Sequence, residues 1–150
     1  MQVKEYKEQN FRLLICSESD RFEIERLSPR RHIGYLQMYE KGGQLEIRDL
    51  WIDEEPEDFR GNGFGSILIE HAFEYAKEKR IDSIFGHTQT DDYKVHRFYE
   101  KCGFKVFIDN KHNTAWFLYS SNVGLMDTPD FDQLAKLVGV GNKLGIYEFN

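Results

Sequence analysis

Apolar and polar positions alternate along the first third of the chain. FRLLIC (Phe11 to Cys16), FEIERL (Phe22 to Leu27), HIGYLQMYE (His32 to Glu40) and QLEIRDLWI (Gln44 to Ile52) each have the length and composition of a strand. The last two flank Lys41-Gly42-Gly43, a tight-turn signal, so these runs predict an antiparallel meander. After residue 60 the period changes. Leu68, Ile69, Ala72, Phe73 and Ala76 recur at helical spacing, with Glu70, Glu74, Lys77 and Lys79 on the other side. That pattern predicts an amphipathic helix over roughly Gly65 to Lys79. IDSIFGHT (Ile81 to Thr88) reads as a strand. Asp91 or Asp92 can cap a second helix, with Val95, Phe98, Tyr99 and Cys102 as its apolar face and Gly103 as its left-handed end. FKVFI and TAWFLYS are strands around a turn from Asp109 to Asn113. In the tail, Thr128-Pro129-Asp130 opens a short helix with Phe131, Leu134, Leu137 and Val138 on one face, and LGIYEF reads as a closing strand. The order predicts an α/β (α+β) fold: a mixed, mostly antiparallel central sheet flanked by helices.

Composition narrows the class. A chain of 150 residues, 40% hydrophobic and 15% aromatic, can bury a core as one domain without disulfides or metal. No repeat, linker or low-complexity block divides it. No run of eighteen apolar residues occurs and MQVKEYKEQNF is too charged for a signal peptide, so a cytoplasmic protein with no membrane partner is expected. Cys16 and Cys102 have no metal-ligand spacing, so no metal is expected and both thiols read as reduced and structural. The net charge of -6 argues against nucleic acid as a partner and favours cationic ones.

The stretch from Asp53 to Ser66 carries the candidate chemistry. Five carboxylates, Asp53, Glu54, Glu55, Glu57 and Asp58, precede Arg60-Gly61-Asn62-Gly63-Phe64-Gly65-Ser66 at the start of the predicted helix. Glycines there permit positive φ and close approach of a ligand to the backbone. The first-turn N–H groups and the positive end of the helix dipole converge on one point, which suits a phosphate. Arg60 could add a charge-assisted contact and Ser66 a hydroxyl. The plain structural reading is a tight turn. No lysine follows the glycines as in a P-loop, and the antiparallel strands ahead exclude the opening βαβ unit of a dinucleotide fold. The acidic run reads as a solvated loop pointing outward.

The ordered set Ile47, Leu50, Ile52, then the glycine loop, its helix, the strand to Thr88, and Asp92 to Phe104 resembles the GCN5-related N-acetyltransferase (GNAT) superfamily. Its pyrophosphate loop, R/Q-x-x-G-x-G/A, is matched by Arg60, Gly63 and Gly65, and its tyrosine followed by Glu-Lys-x-Gly-Phe by Tyr99 to Phe104. The resemblance covers about residues 44 to 119. It implies an acetyl-CoA-dependent N-acetyltransferase with acetyl-CoA as cosubstrate. The pantetheine arm would lie between the strand Glu46 to Ile52 and the strand Ile81 to Thr88, paired to backbone near Leu50, Trp51 and Ile52. The amides of Arg60 to Ser66 would hold the pyrophosphate. Asp92 stands where the family has an asparagine that often contacts CoA.

By the same resemblance, Glu46 is the candidate base, usually through water, with Asp49 as the alternative. A strand N–H near Trp51 or Ile52 would stabilise the oxyanion, and Tyr99 would be the general acid for the departing thiolate. The structural alternatives are a solvent-facing Glu46 in the alternation of Leu45 and Ile47, and a Tyr99 that merely packs on the sheet. His87 reads as structural, His96 and His112 as surface residues, Cys102 as an inert thiol, and Trp51 and Trp116 as core or pocket wall. About three residues, including Pro56, are inserted between Ile52 and Arg60, and Val95 replaces the family's alanine. Ser17 to Arg21 leaves room only for a turn where the family has two helices. The N-terminal helical region is thus shortened and a helix-strand extension, 122–150, is added. The acceptor pocket is therefore expected to be open, or completed by that extension or by a second subunit in a homodimer; the extension could also simply protect a sheet edge. The acceptor is expected to be a primary amine arriving as a cation, a small molecule in first place or a protein amine. A non-catalytic CoA-binding or protein-interaction module of the same fold is the other function class.

Overall fold

The computed structural model describes residues 1–121 and 129–138. They form two compact units: Met1–Tyr39 with Ile47–Lys79, and Glu40–Glu46 with the described residues from Arg80 onward.

The first unit is an antiparallel meander of β1 (Gln2–Tyr6), β2 (Phe11–Cys16), β3 (Arg21–Arg26) and β4 (Arg31–Lys41), paired in chain order. Short 3-10 turns, Lys7–Gln9 and Ser17–Ser19, join the first three strands; Asn10 and Asp20 follow them with positive φ. The predicted strands are present with ends shifted by at most a residue, and a turn alone stands between β2 and β3. β1 was not foreseen, because all but its last residue are exposed and an edge strand without a buried face has no apolar period. Alternation sorts the rest: Leu13, Phe22, Ile24 and Leu36 are buried, while Arg12 pairs with Glu25 at 2.7 Å between them. β5 (Gln44–Ile52) contributes its outer residues to this unit. Helix α1 (Phe64–Glu78) buries Leu68, Ile69, Ala72, Tyr75 and Ala76, and Phe22 of β3 meets the Tyr75 ring edge-on at 5.8 Å. Tyr75 OH also donates to Asp20, which fastens the helix to the β2–β3 turn.

In the second unit β5 pairs in parallel with β6 (Ser83–Gln89), Leu45 beside Ile84 and Glu46 beside Phe85. β8 (Thr114–Ser120) is antiparallel to both β6 and β7 (Lys105–Asp109). Trp116 and Phe117, adjacent on β8, point to opposite faces. Phe117 stacks flat on Tyr99 of α2 (Tyr93–Lys101), with ring centroids 3.6 Å apart. Trp116 lies with Phe85 in a cluster closed by Leu134 and Ala135 of α3 (Phe131–Val138). The described part of the extension, α3, therefore covers a sheet face; the predicted strand LGIYEF, on which edge protection would depend, lies outside the described residues. Gly103 closes α2 with φ +103, as its position predicts.

Of the two histidines read as surface residues, His96 is buried and His112 half-buried. The Nε2 of His96 hydrogen-bonds Gln89 O at 2.8 Å. The helix turns that face inward because α2 begins at Tyr93, which puts His96 and Tyr99 one turn apart on the buried side. His112 Nδ1 donates to the buried Asp109 carboxylate at 2.6 Å, and Trp116 Nε1 donates to the same oxygen at 3.0 Å. Burial pushes the Asp109 carboxyl up, but the hydrogen bonds from Trp116 and His112 outweigh it and leave it below the usual carboxylate range.

Candidate active site

The segment from Trp51 to Ser66 lies wholly within the first unit. Gly34 of β4 is what lets β5 come close there. A Cβ on Gly34 would strike Trp51 O and stand 2.8 Å from Ile52 Cδ1. Asp53 N donates to Ile33 O at 2.7 Å at the same level. Leu50 and Ile52 are half-buried, whereas Trp51 is 48% exposed and its Nε1 donates to Asp53 Oδ1 at 3.0 Å. Trp51 is therefore not a core residue; Trp116 is the tryptophan in the core.

At the loop, Gly61 and Gly63 have φ of +76° and +85°, and neither would meet a protein atom within 4 Å of an added Cβ. Gly63 is the N-cap of α1, and no side chain caps the helix. The first intrahelical bond runs from Ile67 N to Gly63 O, so the amides of Phe64, Gly65 and Ser66 have no acceptor within the helix. No acid stands in the first turn. Asn62 Nδ2 folds back on Phe59 O at 3.1 Å and fixes the loop from inside. Phe64 is held edge-on between Phe59 and Phe11, at 6.3 and 6.0 Å. The result is an open cradle of main-chain donors on a fixed base, with Ser66 exposed at its lip.

The acidic run is solvated from Glu54 to Asp58, as expected, but it is tied down. Asp53 accepts from His32 Nδ1 at 2.9 Å, Glu57 pairs with Arg26 at 2.9 Å, and buried Phe59 lies under the Arg26 guanidinium. Arg60 is bound by the insert itself, through Asp58 and Glu54. Its hydrogen bonds to Arg60 hold the Asp58 carboxyl down at about 2, so the contact stays charged at every working pH. The sequence reading missed Gly34, Glu54 and Asp58 as site residues. An isolated glycine inside a strand pattern signals close backbone approach, and Asp58-x-Arg60 is a spacing that permits a local ion pair.

Glu46, Asp92 and Tyr99 belong to the second unit. Glu46 is 1% exposed, not solvent-facing as alternation suggests, and forms an ion pair with Lys41 Nζ at 3.4 Å. Leu45, Glu46 and Ile47 are consecutively buried because a strand paired within a covered sheet has no wet face. Asp49 is exposed and accepts from Tyr35 OH at 2.6 Å. Asp92 is the N-cap of α2 and accepts from Thr88 Oγ1 at 3.3 Å. Tyr99 is 5% exposed, with Phe104 edge-on at 5.4 Å in addition to the Phe117 stack. His87 tilts against Trp116 at 5.2 Å. Cys16 and Cys102 are half-buried, and neither is in a disulfide. Among the described residues no three His, Cys, Asp or Glu side chains could hold a metal ion, and no helix is long and apolar enough to cross a membrane.

A mixed, mostly antiparallel sheet with a glycine loop heading a helix defines the class as α/β. The sequence profile described as the Acetyltransferase (GNAT) family matches residues 6–104, about two thirds of the chain, and the chain belongs to that family. The match reaches back to the N-terminal strands, well before the stretch from residue 44 on which the motifs lie. No curated protein matches the chain. Among solved structures, it is similar to a candidate streptothricin acetyltransferase from Bacillus anthracis str. Ames in complex with acetyl coenzyme A, at 23% identity and TM-score 0.58, covering 72% of this chain and 66% of that one. It is also similar to the PaiA N-acetyltransferase from Thermoplasma acidophilum in complex with coenzyme A (19% identity, TM-score 0.58, 69% of this chain and 63% of that). A third is the dodecameric spermidine N-acetyltransferase from Vibrio cholerae (21% identity, TM-score 0.55, 79% and 70%). The chain thus spans less than two thirds of the length of the first two, and the likeness lies in the fold.

Proposed function

We propose that the protein is an acetyl-CoA-dependent N-acetyltransferase acting on a primary amine by direct attack. The observation that carries this is the glycine loop, whose amides are uncapped and whose Gly61 and Gly63 leave room where side chains would stand. Acetyl-CoA fits these residues and would supply the acetyl thioester. The amides of Phe64, Gly65 and Ser66 would hold its pyrophosphate, and main-chain groups of Leu50 to Ile52 the pantetheine arm. Glu46 takes the proton of the attacking amine, directly or through water, since a protonated amine has no lone pair; Tyr99 returns a proton to the departing sulfur. A carbon–nitrogen bond forms and a carbon–sulfur bond breaks; the ammonium nitrogen loses two protons in all, one through Glu46 before attack and one as the tetrahedral intermediate collapses, the sulfur gains one through Tyr99, and one proton is released to solvent. The acidic balance of the chain, and the spermidine N-acetyltransferase among its structural neighbours, support a small cationic amine as acceptor. That neighbour's dodecameric state likewise supports self-association here.

The second reading, a CoA-binding or protein-interaction module, has its own support: Tyr99 is stacked between core rings and Glu46 is paired to Lys41, arrangements that packing alone explains. Calorimetric titration with acetyl-CoA, followed by free-thiol release against a panel of amines, separates the two. No binding at high micromolar acetyl-CoA defeats the enzyme reading, and binding without turnover favours the module. Tyr99→Phe keeps the stack on Phe117, so stability should change little while kcat falls about tenfold with KM for acetyl-CoA unchanged. The loss should shrink above about pH 8.5, where a thiolate leaves without a donated proton. A pH-independent loss would mean that Tyr99 does not donate.

A further inference from the structure

Arg60 opens the glycine loop, yet its guanidinium is engaged by the six residues before it. Nε donates to Asp58 Oδ1 and Nη2 to Asp58 Oδ2, both at 3.0 Å, and Nη1 lies 2.5 Å from Glu54 Oε2. The backbone N–H of Arg60 donates to Asp58 Oδ1 as well, at 3.0 Å. One carboxylate thus collects a guanidinium fork and a main-chain amide, the donor set by which proteins hold a phosphate. Two carboxylates on one guanidinium also reverse the local sign: Arg60 alone is a cation, and the clasp as a whole carries a net negative charge. The clasp sits on a fastened segment, because Glu57 is tied to Arg26 and Asp53 to His32 and Trp51.

We propose that Asp58 and Glu54 act as a built-in phosphate substitute on Arg60 and so set how tightly the loop holds a pyrophosphate. Main-chain amides hold the anion, and Arg60 contributes only when the clasp opens. The inference rests on the reading that the loop binds the CoA pyrophosphate, and deepens it by naming the residues that tune that site. Both acids are positioning residues, since they touch Arg60 and not the ligand. The clasp is exposed, so each of its ion pairs is weak in water and can yield to a bidentate phosphate contact. It lowers affinity without abolishing it.

The test measures binding of inorganic pyrophosphate and of acetyl-CoA by calorimetry at low salt. It compares the native chain, Glu54→Gln with Asp58→Asn, Arg60→Gln, and the three changes together. The double variant should bind both ligands about five- to tenfold more tightly. Arg60→Gln alone should change either Kd less than about twofold, yet in the triple variant it should erase the gain. Acetyl-pantetheine, which lacks the pyrophosphate, should bind all four proteins equally. Glu54→Gln alone, which leaves the Asp58 bond to the Arg60 amide intact, should give part of the gain and guards against misfolding of the double variant. Equal pyrophosphate affinity in the native chain and double variant, or a full loss from Arg60→Gln alone, overturns the proposal, as does the absence of pyrophosphate binding in every protein. Should acetyl-CoA bind none of them while the pyrophosphate series holds, the cofactor reading fails and the clasp stands.

Discussion

Replacing Gly63 with aspartate is expected to weaken acetyl-CoA binding by about a hundredfold or more while leaving the protein folded, because it puts a carboxylate into an anion site and into an N-cap position at once. Aspartate is among the best helix N-caps and tolerates left-handed backbone better than most residues. No protein atom lies within 4 Å of the new Cβ. The side chain would therefore take the amides of Gly65 and Ser66 for itself and repel the pyrophosphate. Gly63→Ala isolates the backbone part: at φ +85° it strains the chain by about 1 kcal/mol and should weaken binding far less. Calorimetry on both variants decides the matter; affinity unchanged in Gly63→Asp would make the loop a turn and nothing more.

The second large effect is expected at Gly34. An alanine there should cost about 2 to 3 kcal/mol in chemical unfolding, since its Cβ would meet the Trp51 carbonyl oxygen and stand 3.1 Å from Ile52 Cα, both backbone atoms with no rotamer to escape into. Relief requires β5 to shift where Asp53 N bonds Ile33 O, and that shift would displace Leu50 to Ile52 as well. A loss below about 0.5 kcal/mol would show that the approach of the strands has slack.

The two variants also mark what can be read from residues alone. Gly63 was legible because positive φ and a helix start write themselves into local sequence: glycines, then a 3.6-residue apolar period. The strands from β2 to β8 and the three helices were legible for the same reason, each having a buried face with its own period. β1 was not, since an edge strand of QVKEY buries nothing regular. The burial of Glu46 was not legible because alternation presumes one wet face, and β5 passes from a covered stretch, Leu45 to Ile47, to a half-exposed one from Arg48 onward. The clasp on Arg60 was invisible for another reason: charge density tells that carboxylates are near an arginine, and only the folded insert, anchored by Phe59 and Glu57, tells which of them reach it.

Helix α3 has a practical consequence for anyone cutting this chain down. The family match stops at residue 104, and even a generous boundary at residue 121 would discard α3. Phe85, Trp116 and Leu118 would then lose Leu134, Ala135 and their neighbours, and a row of large apolar side chains on β6 and β8 would face water. Such a fragment would be sticky rather than minimal, and expression trials should keep the chain at least through residue 138.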